Sequence, residues 1–191
     1  MLEDLVVSKV RIKLLQAFLG NPAEIFYVRQ LVRLVKEEIN AVRRELEHLE
    51  KAGLIKKENR GNRVYYGFNK AYPLFSDLLS IIHKSVGLGG EICRWRNKIG
   101  RVKFALLSGR LVRRLAVKPE SVDLLLVGEV ELKELARLVK KAEEQVGREI
   151  NYSVMSKEEF EFRKKRRDPF LTGILGGSRV IVIGDEEEMI G

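Results

Sequence analysis

Cysteine and histidine are nearly missing from this 191-residue chain, which has one cysteine, Cys93, and two histidines, His48 and His83. A single cysteine excludes an internal disulfide and any cysteine-based zinc site. Two isolated histidines supply no metal-ligand cluster. The opening MLEDLVVSKV lacks the apolar core of a signal peptide. No apolar run approaches the ~20 residues of a membrane span. These absences lead to the expectation of a cytoplasmic protein with no membrane partner and no cofactor. Acidic residues are missing from one long stretch, Ile92 to Pro119, which holds Arg94, Arg96, Lys98, Arg101, Lys103, Arg110, Arg113, Arg114 and Lys118. Internal repeats and low-complexity tracts are missing as well.

The residues that are present describe a globular chain: 45% hydrophobic and 33% charged. The net charge of +9 favours an anionic partner, nucleic acid before a membrane surface. The positive excess divides almost evenly between residues 1–90 and the remainder, so charge alone assigns the partner to neither half. Abundant charge, few glutamines and one cysteine also suit a thermophile.

Hydrophobic spacing sets out the elements. Val10, Leu14, Leu15 and Phe18 form a helical stripe over residues 8–19, ended by Gly20-Asn21-Pro22. A second helix spans 26–35, with Val28, Leu31, Val32 and Val35 inward. Glu37 and Glu38 precede a third helix, where carboxylates suit the positive end of the helix dipole. Its apolar stripe is Ile39, Val42, Leu46 and Leu49, and Ala52-Gly53 stops it. Two strand-like runs around Asn59-Arg60-Gly61-Asn62 read as a hairpin, and residues 71–86 as an apolar helix. Gly87-Leu88-Gly89-Gly90 reads as a boundary. Beyond it, strands at 102–107, 122–127, 150–155 and 180–183 alternate with helices at 132–146 and 157–165, the pattern of a small α/β domain. The run at 122–127 is apolar throughout, as in a strand buried on both faces.

A helix whose buried stripe leaves Asn40, Arg43, Arg44 and Glu47 outward, followed by a hairpin tipped with Arg60, Asn62 and Arg63, has the layout of a DNA reader. The N-terminal part of such a helix is what enters the major groove. Asparagine can pair bidentately with adenine and arginine with guanine, while arginines of a hairpin tip meet phosphates or the minor groove. Residues 8–69 resemble the winged helix-turn-helix domain of ArsR-like transcription regulators, through VRRELEHLEKAGLI and RGNRVYYGFN. The resemblance implies duplex DNA as partner, a homodimer formed through the helix at 71–86, and no catalysis in this domain. The cysteine-rich metal sensor of some members has no counterpart.

Residues 99–191 resemble a small nucleotidyltransferase-type domain of the kind fused to winged helices in archaea, through VKFALLSGRLVRRLAVKPESVDLLLVGEV. Active members carry a Gly-Ser turn, Asp-x-Asp on the next strand and a third carboxylate later, which together hold two metal ions and a triphosphate. Here Gly109 matches the glycine but Arg110 replaces the serine. Ser121 stands at the first aspartate, Asp123 matches the second, and Asn151 replaces the third. One carboxylate cannot hold two divalent ions, so the expectation is a domain without nucleotidyl transfer. The alternative is an enzyme with displaced metal ligands. Glu120 is the substitute to consider, although strand alternation would point it away from Ser121 unless the strand begins later. Gly109, Arg110, Arg113 and Arg114 could hold an anion without chemistry.

The expected architecture is an α+β winged helix-turn-helix over 1–86, a basic linker over 87–98 and an α/β nucleotidyltransferase-like domain with a mixed sheet over 99–191. The expected protein is a nucleoid-associated transcription regulator whose second domain senses a ligand, oligomerises or recruits a basal transcription factor. Trp95 reads as a packing anchor at the domain junction and Arg163–Arg167 as an exposed helix end. The acidic tail Asp185–Glu188 suits partner contacts or solubility alone.

Overall fold

A computed structural model describes residues 6–116 and 120–191; Lys118 of the basic tract and the first five residues lie outside that range. The chain is mixed α/β and divides into two units, Met1–Ile82 and His83–Gly191. Among the described residues no helix is long and apolar enough to cross a membrane.

The first unit runs α1 (Lys9–Gly20), β1 (Ile25–Tyr27), α2 (Val28–Val35), α3 (Ile39–Lys51), β2 (Ile55–Arg60) and β3 (Arg63–Phe68), with α4 (Phe75–Ser85) crossing the boundary between units. Its core is made where the apolar stripes of three helices meet. Leu14, Phe18 and Leu19 of α1, Leu31 of α2, and Val42, Leu46 and Leu49 of α3 are all at most 1% exposed. Phe18 meets Phe26 of β1 edge to face. The three strands form one antiparallel sheet in the order β1-β3-β2. Phe26, Tyr66 and Phe68 are buried on its inner face. The segment expected as one helix over 26–35 therefore begins as strand, because Ile25–Tyr27 finds a partner in β3.

Local chemistry ends each helix where it ends. Ser8 caps α1 by accepting the Arg11 amide. Lys36 closes α2 with a left-handed backbone. The stop after α3 is made as expected. The Gly53 amide donates to the Glu50 carbonyl and that of Leu54 to the Leu49 carbonyl, the paired bonds of a Schellman ending. The two-residue loop Gly61-Asn62 joins β2 to β3, and Gly61 takes the positive φ that so tight a turn requires.

The second unit is built on a mixed sheet, β6-β5-β4-β7, from β4 (Gly100–Ser108), β5 (Leu124–Val130), β6 (Tyr152–Met155) and β7 (Arg179–Ile183). Only β5 and β6 are parallel; they are joined across α7 (Leu132–Val146), as a parallel pair requires. Leu124 to Val127 are at most 1% exposed, so β5 is the strand buried on both faces that its composition predicts. Phe104, Leu106, Leu125 and Val127 pack against Phe160 of α8 (Lys157–Lys165), Leu171 of α9 (Pro169–Gly176) and Met189 of α10 (Glu186–Ile190). On the other face α7 packs with α5 (Gly87–Arg94).

Two sequence expectations change here, the linker and the boundary. Residues 87–98 are not a linker: Gly87–Arg94 is helix α5, and its Ile92 is fully buried. Accordingly the boundary falls at 82/83 and not at 86/87. The glycine cluster serves close packing: a Cβ on Gly90 would lie 2.6 Å from the Ser85 carbonyl, and one on Gly89 would meet the His83 carbonyl oxygen. The acidic tail is the capped first turn of α10, with Asp185 accepting the Glu188 amide. Trp95 is an anchor within the second unit, stacked between Lys98 and Arg137 and donating to Glu91. The run beginning at Arg163 is the last turn of α8, whose first turn holds Glu158 and Glu159, charges arranged to oppose the helix dipole.

Gly90→Ala should therefore destabilise the chain by about 1–3 kcal/mol, since backbone rather than a side-chain tip must give way. Gly20→Ala, where an added Cβ meets nothing within 4 Å, should be neutral or stabilising by up to about 1 kcal/mol. Urea midpoints of the two variants measure the difference.

Candidate functional site

On α3 the buried stripe fixes which side chains face out. Asn40, Arg43, Arg44 and Glu47 are all exposed. The rotation is locked from behind by Glu45, which accepts from the Ser8 hydroxyl at 2.7 Å and from Arg11 Nε at 2.8 Å. Burial pushes the Glu45 carboxyl up, but those two hydrogen bonds and the Arg11 charge hold it below the ordinary carboxylate range. At the start of the helix Glu38 accepts from the Asn40 and Ala41 amides at 2.8 and 3.0 Å. These bonds hold its carboxyl below the ordinary carboxylate range, and they fill the positive end of the helix with a carboxylate of the chain's own.

The hairpin brings Arg60, Asn62 and Arg63 together at its exposed tip, with Arg60 and Arg63 directly opposite one another in register. Glu58 pairs with Arg60 at 2.8 Å. Behind the tip, burial raises the Tyr66 phenol, with Glu50 and Glu47 adding to the shift and Arg43 opposing it. The inner strand of the hairpin thus lies within electrostatic reach of the exposed face of α3. All six residues expected to touch DNA are on the surface of one unit.

In the second unit the polar residues expected around a phosphate site separate. A cavity of about 530 Å³ opens between the β4–α6 turn, the lead-in to β5 and α9, where α6 is the short helix Gly109–Val112. Gly109 and Arg110 line it; Arg113 and Arg114 do not. The Gly109 amide donates to the Ser178 carbonyl at 2.6 Å. A Cβ on Gly109 would collide with Ser178. The glycine is required by the close approach of two chain segments, and its N–H is already occupied. Arg110 donates from Nη2 to the Ala116 carbonyl, while its buried Nε finds no hydrogen-bond partner.

Asp123, the retained aspartate, is only 2% exposed and does not line the cavity. Its two oxygens accept from Arg148 at 2.7 and 3.0 Å in a bidentate pair. The Ser108 hydroxyl at 3.4 Å and the Asn151 amide at 3.3 Å complete the shell. Asn151 also donates from its side chain to the Ser121 carbonyl. Arg148 is the residue that sequence reading misses, since a lone arginine in the turn after α7 carries no pattern. For Glu120 the exception applies: β5 begins at Leu124, later than the expected 122, so strand alternation does not hold at Glu120, and it lines the cavity beside Ser121. It is the one carboxylate among the lining residues. No group of three His, Cys, Asp or Glu capable of holding a metal occurs among the described residues.

Comparison with protein-family models, with curated proteins and with solved structures finds no match for this chain.

Two outcomes follow from this geometry. Arg148→Met strands a buried carboxylate and should cost about 3–5 kcal/mol, whereas Asp123→Asn/Arg148→Met should cost less than the sum of its parts. A wild-type urea midpoint for Arg148→Met would sink the assignment. For Glu38, the folded value lies below the unfolded one, so its contribution is full above the ordinary carboxylate range and is lost as pH falls through the folded value. In an NMR titration the Asn40 and Ala41 amides should shift together with the Glu38 carboxyl, below the ordinary carboxylate range. Glu38→Gln should abolish that shared transition.

Proposed function

We propose that the chain is a sequence-specific, nucleoid-associated DNA-binding transcription regulator whose first unit acts as a winged helix-turn-helix. The observation that carries the reading is the combination on one unit of an outward α3 face bearing Asn40, Arg43 and Arg44 with an arginine-tipped two-residue hairpin. The three-residue turn Lys36–Glu38 between α2 and α3 is the length such a motif uses. In this reading α3 enters the major groove, Asn40 and Arg43 contact base edges, Arg44 borders the groove, and Arg60, Asn62 and Arg63 follow the adjacent backbone.

The α4 helix is the proposed homodimer contact. Leu74, just before it, and Ile81 within it are 52% and 41% exposed, more apolar surface than a solvated helix needs. We assign the second unit to ligand sensing, oligomerisation or recruitment of a basal transcription factor and not to nucleotidyl transfer. Asp123, the one matching carboxylate, spends both oxygens on Arg148, Ser108 and Asn151. Glu120 alone remains at the cavity, and one carboxylate does not hold two divalent ions beside a triphosphate.

A salt-titrated shift assay on genomic duplex fragments tests the reading. Arg43→Ala should lose about 1–3 kcal/mol of discrimination between the preferred site and random duplex. Arg63→Ala should weaken all duplexes alike and reduce the salt slope by about 1. Equal losses on every sequence from both variants would replace the regulator by a non-specific architectural binder.

A further inference from the structure

Arginine and tyrosine side chains interleave across β1, α2 and the β2–β3 hairpin in the first unit. Tyr27 of β1 pairs in register with Tyr65 of β3, and their rings meet edge to face with centroids 6.0 Å apart. The Tyr27 hydroxyl accepts from Arg33 Nη2 at 3.2 Å, and Arg33 Nε donates to the Arg29 carbonyl one turn earlier on α2. The Arg63 guanidinium lies over the Tyr27 ring, 5.3 Å from its centroid. Arg60 lies over Tyr65 at 5.8 Å. One tyrosine thus holds two arginines from separate elements, one by its hydroxyl and one by its face.

This arrangement is short of negative charge. Arg60 and Arg63 stand opposite each other across the hairpin, a position where like charges repel. Glu58 answers Arg60, but among the described residues no carboxylate pairs with Arg63 or Arg33. Tyr27 is also the residue that opens α2, and its side chain makes no capping bond there. Two guanidinium groups gathered on one tyrosine, neither answered by a carboxylate among the described residues, make a place for an anion. Arg63 already belongs to the hairpin tip proposed to follow duplex backbone, so the anion that reaches this place is a phosphodiester.

We propose that Tyr27 is a positioning residue that presents Arg33 and Arg63 to the phosphates of one strand of duplex DNA, Arg33 being a further contact of the interface. The inference rests on the DNA-binding reading above. Guanidinium forks match phosphate oxygens bidentately, and a side chain already held in place surrenders less freedom on binding. Prior ordering of that kind is worth about two- to tenfold in affinity per side chain.

The test is equilibrium binding of the full chain to its preferred duplex across a salt series, with a urea midpoint for each variant. Tyr27→Phe keeps the ring and loses the hydroxyl; it should weaken binding about two- to tenfold through Arg33 alone. Tyr27→Leu should weaken binding further. Arg33→Gln/Arg63→Gln should lower the salt slope by about 2, and adding Tyr27→Leu to that pair should cost nothing more. Equal loss from Tyr27→Leu in both backgrounds, or wild-type affinity in Tyr27→Phe and Tyr27→Leu, overturns the positioning role while leaving the DNA reading intact. A wild-type chain with no affinity for duplex overturns both.

Discussion

The rotation of α3 about its own axis is the constraint from which the first unit's surface follows. Val42, Leu46 and Leu49 are at most 1% exposed, and a helix that buries three residues at three- and four-residue steps has no freedom to turn. Glu45 adds a polar lock on the same side through Ser8 and Arg11. What remains outward is then a matter of arithmetic on a 3.6-residue period, and it is Asn40, Arg43, Arg44 and Glu47. The chemistry of that face is set by packing on the opposite one, so core changes at Leu46 would alter the exposed face without touching it.

This is also why the first unit was largely legible from sequence. Period alone placed α3, the Gly53 stop and the hairpin turn, because each is decided within a few residues by local chemistry. The Tyr27 arrangement was not legible. It joins β1, α2 and β3, and whether Tyr27 meets Tyr65 depends on strand register, which no local pattern states. β1 itself was read as helix for the same reason: three residues become strand only because β3 is beside them. The glycines at 87–90 show a different failure. Composition suggests a flexible linker, whereas the actual requirement is closeness: α5 starts so near the end of α4 that a Cβ on Gly90 would collide with the Ser85 backbone.

In the second unit the turn at Gly109 and Arg110 lines a cavity, whereas Arg113 and Arg114, expected with them, do not. Counting carboxylates found one of three, but counting cannot say what the remaining one does. Asp123 is buried, and a buried carboxylate must be paired or neutral. Arg148 supplies the partner with a bidentate geometry, converting a residue of catalytic appearance into part of the unit's interior. Ser108 and Asn151, both near motif positions, donate to the same carboxylate. The motif's polar residues have been turned inward on one another, while Glu120, Ser121 and Arg110 face the cavity. The cavity is lined by one acid, one base and the hydroxyls of Ser108, Ser121 and Ser178, the lining that supports the proposed ligand-sensing role.

Glu38 separates the two ways the first unit can meet an anion. A helix start without a side-chain cap attracts phosphate. At α3 that attraction is already satisfied, since Glu38 accepts two amides there, and a phosphate brought to the same place would face a carboxylate. At α2 no side chain caps the start, and Tyr27, which precedes it, holds the guanidinium groups of Arg63 and Arg33 by its ring and its hydroxyl. Under the proposed DNA-binding reading, Glu38 would keep phosphate from the start of α3, while Arg33 and Arg63, held on Tyr27, would take the backbone, leaving α3 to meet the groove.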